Sequence, residues 1–419
     1  MSHAAFYAIV ELIKGHSVFD VSDPRRPGAS PAEQASVAFY WFGRFGNGGG
    51  VVDVAFVCGC SEGSVVAFSR RVTEALYDMR QQVLCWASEQ EKADAKAWVA
   101  ERTKCVEFSR GWSMVDGSLF PLAFKPGRSA HHREYFDRKS NYSLNVQLVV
   151  LPTTLRIIDF VAGYKGSTQD SRAFAASDVV KNSGLYLDQG DFIWIDGGYG
   201  FSEFTCGPYD HIVASKSSEF RKYNYHVSNV RVRSEHAFGY LKGRFQSLRG
   251  IRMLLRNGED HTRMVKTVVA MLVAHNLALR WDGEDERNVF VDLSSLSADA
   301  KRVWSELQDI GEDQETLEAE AWTRRTREYE ARMASSAGTQ TQLSQYAKDR
   351  ARRSGAKALR EELHVALFRS LGRPFVETSK ESRLKDMTKE GLRRYKAEKA
   401  RKAEQARLRR QEQREARRR

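Results

Sequence analysis

The chain has 419 residues, 42% of them hydrophobic and 11% aromatic, with a formal net charge of +12 and a sequence pI near 9.4. That length and apolar share suffice for two or three domains with sizeable cores and exclude a chain disordered throughout. No run approaches the roughly eighteen consecutive apolar residues of a membrane span, so no membrane role is expected, and the opening MSHAAFYAIVELIKG lacks the basic start and small-residue cleavage site of a secretory leader. The five cysteines, Cys58, Cys60, Cys85, Cys105 and Cys206, contain no CxxC pair. They suggest a reducing compartment and small buried hydrophobes. A metal site of Cys58 and Cys60 with His211 or His226 is the weaker alternative.

In chain order, residues 1–29 form an N-terminal segment and 30–104 a helical region. Ser30-Pro31-Ala32-Glu33 supplies a cap, a proline for the first helical position and a capping-box glutamate, and predicts a helix over AEQASVAFYWFGRF. The run Gly46-Asn47-Gly48-Gly49-Gly50 ends it. A short apolar segment, VVDVAFVC, then meets Gly59-Cys60-Ser61, after which helical spacing runs through EGSVVAFSRRVTEALYDMRQQVLCWASE. Short helix, glycine turn and longer helix is the layout of a helix-turn-helix whose second helix can enter the major groove, with Arg70 and Arg71 among its DNA-contact candidates. A plain helix pair has the same layout.

Residues 105–281 change period. GWSMVDGSLFPLAF, YSLNVQLVVLP and LRIIDFVAGY are rich in β-branched and aromatic residues and predict three neighbouring strands, the last two joined through Pro152-Thr153-Thr154. DFIWIDGGYG predicts a short strand ending at Asp196, before RVRSEHAFGYLKGRFQSL and HTRMVKTVVAMLVAHNLALRW return to helical spacing. Strands followed by alternating helix and strand imply an α/β fold with a mixed sheet.

Residues 282–340 hold 15 Asp/Glu against 7 Lys/Arg and read as an acidic linker. Residues 341–419 read as a basic helical or disordered tail, in which ELHVALFRSLG is a segment able to pack. Positions 380–419 hold 17 Lys/Arg and 7 Asp/Glu. The tail fits a polyanion partner, or equally a solvated charged helix.

Hard divalent cations need oxygen ligands, so the chemistry is sought among acids carried on rigid elements. Asp116 sits inside the first strand, where an acid is anomalous unless it faces a site, and Gly117 permits close backbone approach. Asp196 ends a strand, and strand carboxyl ends are where open α/β sheets bind ligands. Arg231, Glu235 and Lys242 fall within roughly 40° of one another on a helical wheel. Glu235 also heads the apolar stripe of Phe238, Leu241, Phe245 and Leu248, which must turn inward. A structural ion pair, or a favourable place near a helix N-terminus after Ser234, are the other readings of Glu235.

These segments together resemble the DDE endonuclease domain of Harbinger-type transposases. The resemblance runs from about Val115 to Leu279. It is carried by Val115-Asp116-Gly117-Ser118, by Tyr135 with Asp137-Arg138-Lys139-Ser140-Asn141-Tyr142-Ser143-Leu144-Asn145-Val146-Gln147, and by Gly166-Ser167-Thr168-Gln169-Asp170-Ser171-Arg172. It continues through Asp196-Gly197-Gly198-Tyr199, Pro208-Tyr209, and Arg231-Val232-Arg233-Ser234-Glu235-His236-Ala237-Phe238-Gly239-Tyr240-Leu241-Lys242-Gly243-Arg244-Phe245.

The resemblance implies an RNase H-like fold with Asp116, Asp196 and Glu235 converging as catalytic and metal-binding residues on Mg²⁺ or Mn²⁺, two ions in number. It implies cleavage of DNA at transposon ends with strand transfer to a target, Arg231 and Lys242 as phosphate contacts, a Myb-like partner protein and a homo-oligomer. Gln169 stands where the family usually has His, which leaves Asp170 an accessory acid and second choice to Asp196, or a loop or helix-capping residue. Arg138, Lys139 and Tyr142 interleave charge and aromatic ring and suit a strand grip, or a protected sheet edge. A domesticated, inactive relative that binds DNA or protein is the competing function. Nuclear location is expected from the substrate and from basic clusters such as Arg407-Leu408-Arg409-Arg410.

Overall fold

A computed structural model describes residues 1–20, 28–215, 217–281 and 345–372. The chain divides into two units, 1–312 with 340–373 and 313–339 with 374–419. The second lies wholly outside the described residues, as do the basic cluster at 407–410 and the whole acidic linker. Among the described residues no single helix is long and apolar enough to cross a membrane.

The described chain opens with α1 (His3–Ile13), capped by Ser2, and α2 (Pro31–Phe42), started by the capping box of Ser30 and Glu33. Then follow α3 (Val51–Cys58), α4 (Glu62–Asp78), α5 (Arg80–Val83) and α6 (Glu89–Thr103). VVDVAFVC is therefore a helix. Left-handed Gly59 stops it, and Ser61 caps α4, the two helices meeting at 93°. That angle and the glycine turn suit a helix-turn-helix and a plain helix pair alike. The expected single helix after Ser61 instead breaks at Met79, and Ser88 with Glu91 opens α6 by a second capping box. The second capping box gives partners to the first amides of α6, which the break leaves without helical carbonyls.

The sheet runs β3-β2-β1-β4-β5. Its strands are β1 (Gly111–Pro121), β2 (Ser143–Val150), β3 (Ile157–Lys165), β4 (Phe192–Trp194) and β5 (Thr205–Cys206). The first three pair antiparallel; β4 joins β1, and β5 joins β4, in parallel. Short helices α7 (Asp170–Phe174), α8 (Asp178–Lys181) and α9 (Ser183–Tyr186) lead into β4, and α10 (His211–Ala214) follows β5. Long helices α11 (Ser218–Arg244) and α12 (Gly258–Ala278) come next, and α13 (Gln345–Ser370) returns from beyond the linker. The architecture is RNase H-like α/β: a mixed sheet covered by helices, preceded by a helical region.

Alternation along the strands sorts the two faces. Val115, Val149, Ile193 and Ile195 join Ala95 of α6, Phe174 of α7 and Val179 of α8 in one core. Asp116 and Trp194 point the other way. There Phe108 bridges Trp194 and Tyr223 of α11, with ring centroids 5.1 and 5.7 Å away. Within the stretch expected to be tail, α13 packs Leu363, Leu367 and Phe368 inward, and Arg110 forms a 2.5 Å ion pair with its Glu362.

Candidate active site

Asp116 is half-buried in the middle of β1 and points toward α11. Its Oδ1 accepts the Gly117 amide at 2.8 Å, and its Oδ2 faces the Ser234 hydroxyl at 3.4 Å. Burial pushes its carboxyl up from 3.8 to about 6; Arg231 and the Gly117 amide resist, and Asp196 and Glu235 push it further. Three acids distant in the chain thus act on one another electrostatically. A carboxylate raised chiefly by burial, and further by like-charged neighbours, is one a cation would relieve, and the donors are the hard oxygens that Mg²⁺ or Mn²⁺ prefers.

Asp196 lies two residues beyond β4, exposed, with Gly197 and Gly198 opening the chain after it. Arg231 donates to its Oδ1 at 3.3 Å. Glu235 is half-buried, with its Oε2 shielded from solvent. It stands in the middle of α11, which begins seventeen residues earlier at Ser218, so the helix-terminus reading of this acid falls. The stripe it heads outlasts the helix: α11 ends at Arg244, while Phe245 and Leu248 are still buried. Among the described residues no three or more His, Cys, Asp or Glu side chains stand in closed ligand geometry, Cys58 and Cys60 included. Bare carboxylates repel one another, and Arg231 draws Asp196 toward itself.

The expected phosphate contacts divide. Arg231 is spent on Asp196. Lys242 is largely buried, donating to the Ser118 hydroxyl at 2.7 Å and the Leu119 carbonyl at 3.3 Å, over the Phe120 ring. Burial, with Lys139 and Arg249, brings its amine down to about 8 against the pull of Asp116. Arg138 and Lys139 are exposed beyond the far end of β1, and Arg138 pairs with Asp170 at 3.1 Å. Arg70 is exposed on α4, whereas Arg71 donates to Gln34 of α2 at 3.2 Å.

Asp170 lies on the opposite face of the sheet from Asp116. A Cβ at Gly117 would stand 2.8 Å from its Oδ1 and 2.3 Å from Gln147 Nε2, so only glycine admits both groups. The amides of Asn145 and Gln147 donate to Asp170 at 2.9 and 3.0 Å, and Gln147 also donates to Asn145 at 2.6 Å. Tyr199 donates its hydroxyl to Gln147. Burial, then Asp116 and Asp170, push that phenol well above its ordinary value. Sequence reasoning gave Asn145, Gln147, Tyr199 and Ser234 no individual role. Their only signal was a place inside the quoted segments, because the partner of each lies on another element.

The sheet order, with one acid on its central strand, one just past the neighbouring parallel strand and one on a helix across the face, defines an RNase H-like nuclease arrangement. Residues 115–276 match the family model of the DDE superfamily endonucleases, and the chain carries a DDE-type endonuclease domain there. No curated protein and no solved structure matches the chain.

Proposed function

We propose that the chain is a divalent-metal-dependent DNA endonuclease of the Harbinger transposase kind, cutting phosphodiester bonds at transposon ends and joining the freed 3′ ends to target DNA. One observation supports the reading: the segment that matches the endonuclease family places Asp116 on β1, Asp196 just past β4 and Glu235 on α11, with Arg231 bonded to Asp196 and Ser234 facing Asp116. Asp116, Asp196 and Glu235 would hold Mg²⁺ or Mn²⁺. Two such ions, when bound, activate water or a 3′ hydroxyl and stabilise the leaving oxygen.

The chain's own residues do the rest. The Gly117 amide and Ser234 hydroxyl orient Asp116 toward its partners, and Arg231 balances Asp196 in the metal-free protein. Lys242 braces β1 behind the acids. The helix-turn-helix geometry of α3 and α4 supports duplex binding through Arg70, with α4 set in the major groove. A Myb-like partner, a homo-oligomer and nuclear location follow from the family resemblance and remain part of the proposal.

The test is cleavage of supercoiled plasmid, and of DNA bearing the element's own ends, with Mg²⁺ or Mn²⁺. Undiminished cleavage by Asp116→Ala or Glu235→Gln protein overturns the mechanism. An inert unmodified chain would favour a DNA-binding relative that has lost catalysis.

A further inference from the structure

The segment between β1 and β2 forms a second, cationic surface beyond the end of the strand that carries Asp116. Residues 122–129 are laced to 251–256: the Ala123 amide donates to the Ile251 carbonyl at 2.9 Å and the Gly127 amide to the Leu255 carbonyl at 2.8 Å. Its tip is held by Asp137, whose Oδ1 accepts the amides of Lys139 and Asn141 at 2.8 and 3.0 Å. This fixed loop turns Lys125, Arg128, Arg133 and Lys139 to solvent, with Arg249 on the adjoining turn. Arg138 and Arg256 have acidic partners in Asp170 and Asp260. Among the described residues none of the other five forms an ion pair.

Aromatic rings sit among these charges. Phe124 is 40% and Phe136 48% exposed. Phe136 meets Tyr142 edge-on at 5.5 Å, Lys125 lies 6.0 Å from the Tyr142 ring, and Arg252 lies 5.6 Å from the Phe124 ring. The charge also leads back to the acids: Lys139 and Arg249 both act on Lys242, which is bonded to Ser118 two residues beyond Asp116.

Cations that form no ion pair repel one another until an anion arrives, and exposed rings stack on unpaired bases more readily than on a duplex whose bases are already stacked. We propose that this surface grips single-stranded DNA, its phosphates on Lys125, Arg128, Arg133, Lys139 and Arg249 and its bases on Phe124 and Phe136, beyond the end of the strand that carries Asp116. The nuclease reading supplies only the reason a freed strand is present there; the grip itself rests on the placement of charge and rings.

Anisotropy of a labelled single strand of about twenty nucleotides, against the blunt duplex of the same sequence, tests it with the full chain in EDTA, where nothing is cut. Phe124→Ala and Phe136→Ala should each weaken single-strand binding about fivefold or more and leave duplex affinity unchanged. Phe136→Trp should retain it. Lys139→Gln should lower the logarithmic salt slope for the single strand by about 0.7. Unchanged single-strand affinity in both phenylalanine variants, or equal losses on strand and duplex, would overturn the proposal. Because the readout is binding without metal, a chain that fails to cleave can still pass, and a cleaving chain can still fail.

Discussion

Two carboxylates lie against successive residues of β1 and are met in opposite ways. Asp170, against Gly117, is surrounded by donors: two side-chain amides and a guanidinium reach it within 3.1 Å. Asp116, one residue back and on the other face, has the Gly117 amide, a long contact to Ser234 and the charge of Arg231 nearby, while burial and two further acids press against its ionised form. A carboxylate with its lone pairs filled is part of the scaffold. One left half-buried among like charges costs folding energy that a cation can offset. On the proposed reading the pair separates an acid that holds the structure from one that a cation would join, with Asp196 rather than Asp170 as the middle acid.

Substitution tests this contrast most directly. Losing a residue that merely supports a metal ligand costs about 10–100-fold, so Asp116→Asn, Asp196→Asn and Glu235→Gln should each lower metal-dependent cleavage by more than about a hundredfold. Asp170→Asn should leave the folded protein within about tenfold of normal while lowering its unfolding free energy by about 1–3 kcal/mol, because it leaves buried donors poorly matched. Cleavage rates beside urea melts decide it. Equal cleavage losses at Asp116 and Asp170 would erase the distinction drawn between them.

The next effect concerns what lies behind the acids. Arg360 of α13 lies 4.9 Å from the Phe201 ring and 4.3 Å from that of Tyr209, in the stretch that follows Asp196. His364 stacks on Tyr223 of α11 at 5.0 Å. One helix thus covers the elements carrying two of the three acids. Ending the chain at residue 344 would uncover Leu363, Leu367 and Phe368 contacts worth about 1.5–3 kcal/mol per side chain. A clear fall in melting temperature and loss of cleavage are expected. A truncated chain that melts and cuts normally would make α13 an ornament.

Much of this was legible in the sequence. Strand composition placed β1 to β4 and the adjacent acids, since a carboxylate inside an apolar strand is conspicuous without any partner being known. Helical spacing put Glu235 on the inward face of its helix. What escaped was what depends on contacts between elements. Arg231 and Lys242 share a face with Glu235 as predicted, but only the fold shows that one is held by Asp196 and the other by Ser118. The break at Met79 escaped because spacing cannot show where a helix stops once a new cap competes for the chain. The packing of α13 was hinted at by ELHVALFRSLG, yet its docking site on Tyr209 and Tyr223 is set by long-range contacts.

Acidity separates the half-buried Asp116 from three histidines. Burial lowers His226 and His236 from 6.5 to about 4, and His275 further, so the folded chain binds fewer protons there than the unfolded one. Their contribution to stability is complete above pH 6.5 and is lost as the pH falls toward 4. Asp116 works against them: held at about 6 against 3.8, it binds more protons folded than unfolded, so its contribution improves as the pH falls from 6 to 4. Asp116→Asn should therefore steepen the acid loss of stability between pH 6 and 4, read from urea midpoints. A shallower acid limb in that variant would contradict the raised carboxyl.

The smallest expected effect belongs to the helix-turn-helix, whose two arginines repeat the Asp116 and Asp170 contrast in cationic form. Both are exposed on α4, but Arg71 donates to Gln34 and ties α4 to α2. If α4 enters a major groove, Arg70→Gln should weaken duplex binding and lower the logarithmic salt slope by about 0.9, the share of one released counterion. Arg71→Gln should leave that slope alone and act instead through helix packing, as a loss of thermal stability. The slope separates a phosphate contact from a structural one because only the former exchanges counterions with the duplex. Equal slopes in the two variants and the unmodified chain would place the duplex elsewhere on the molecule.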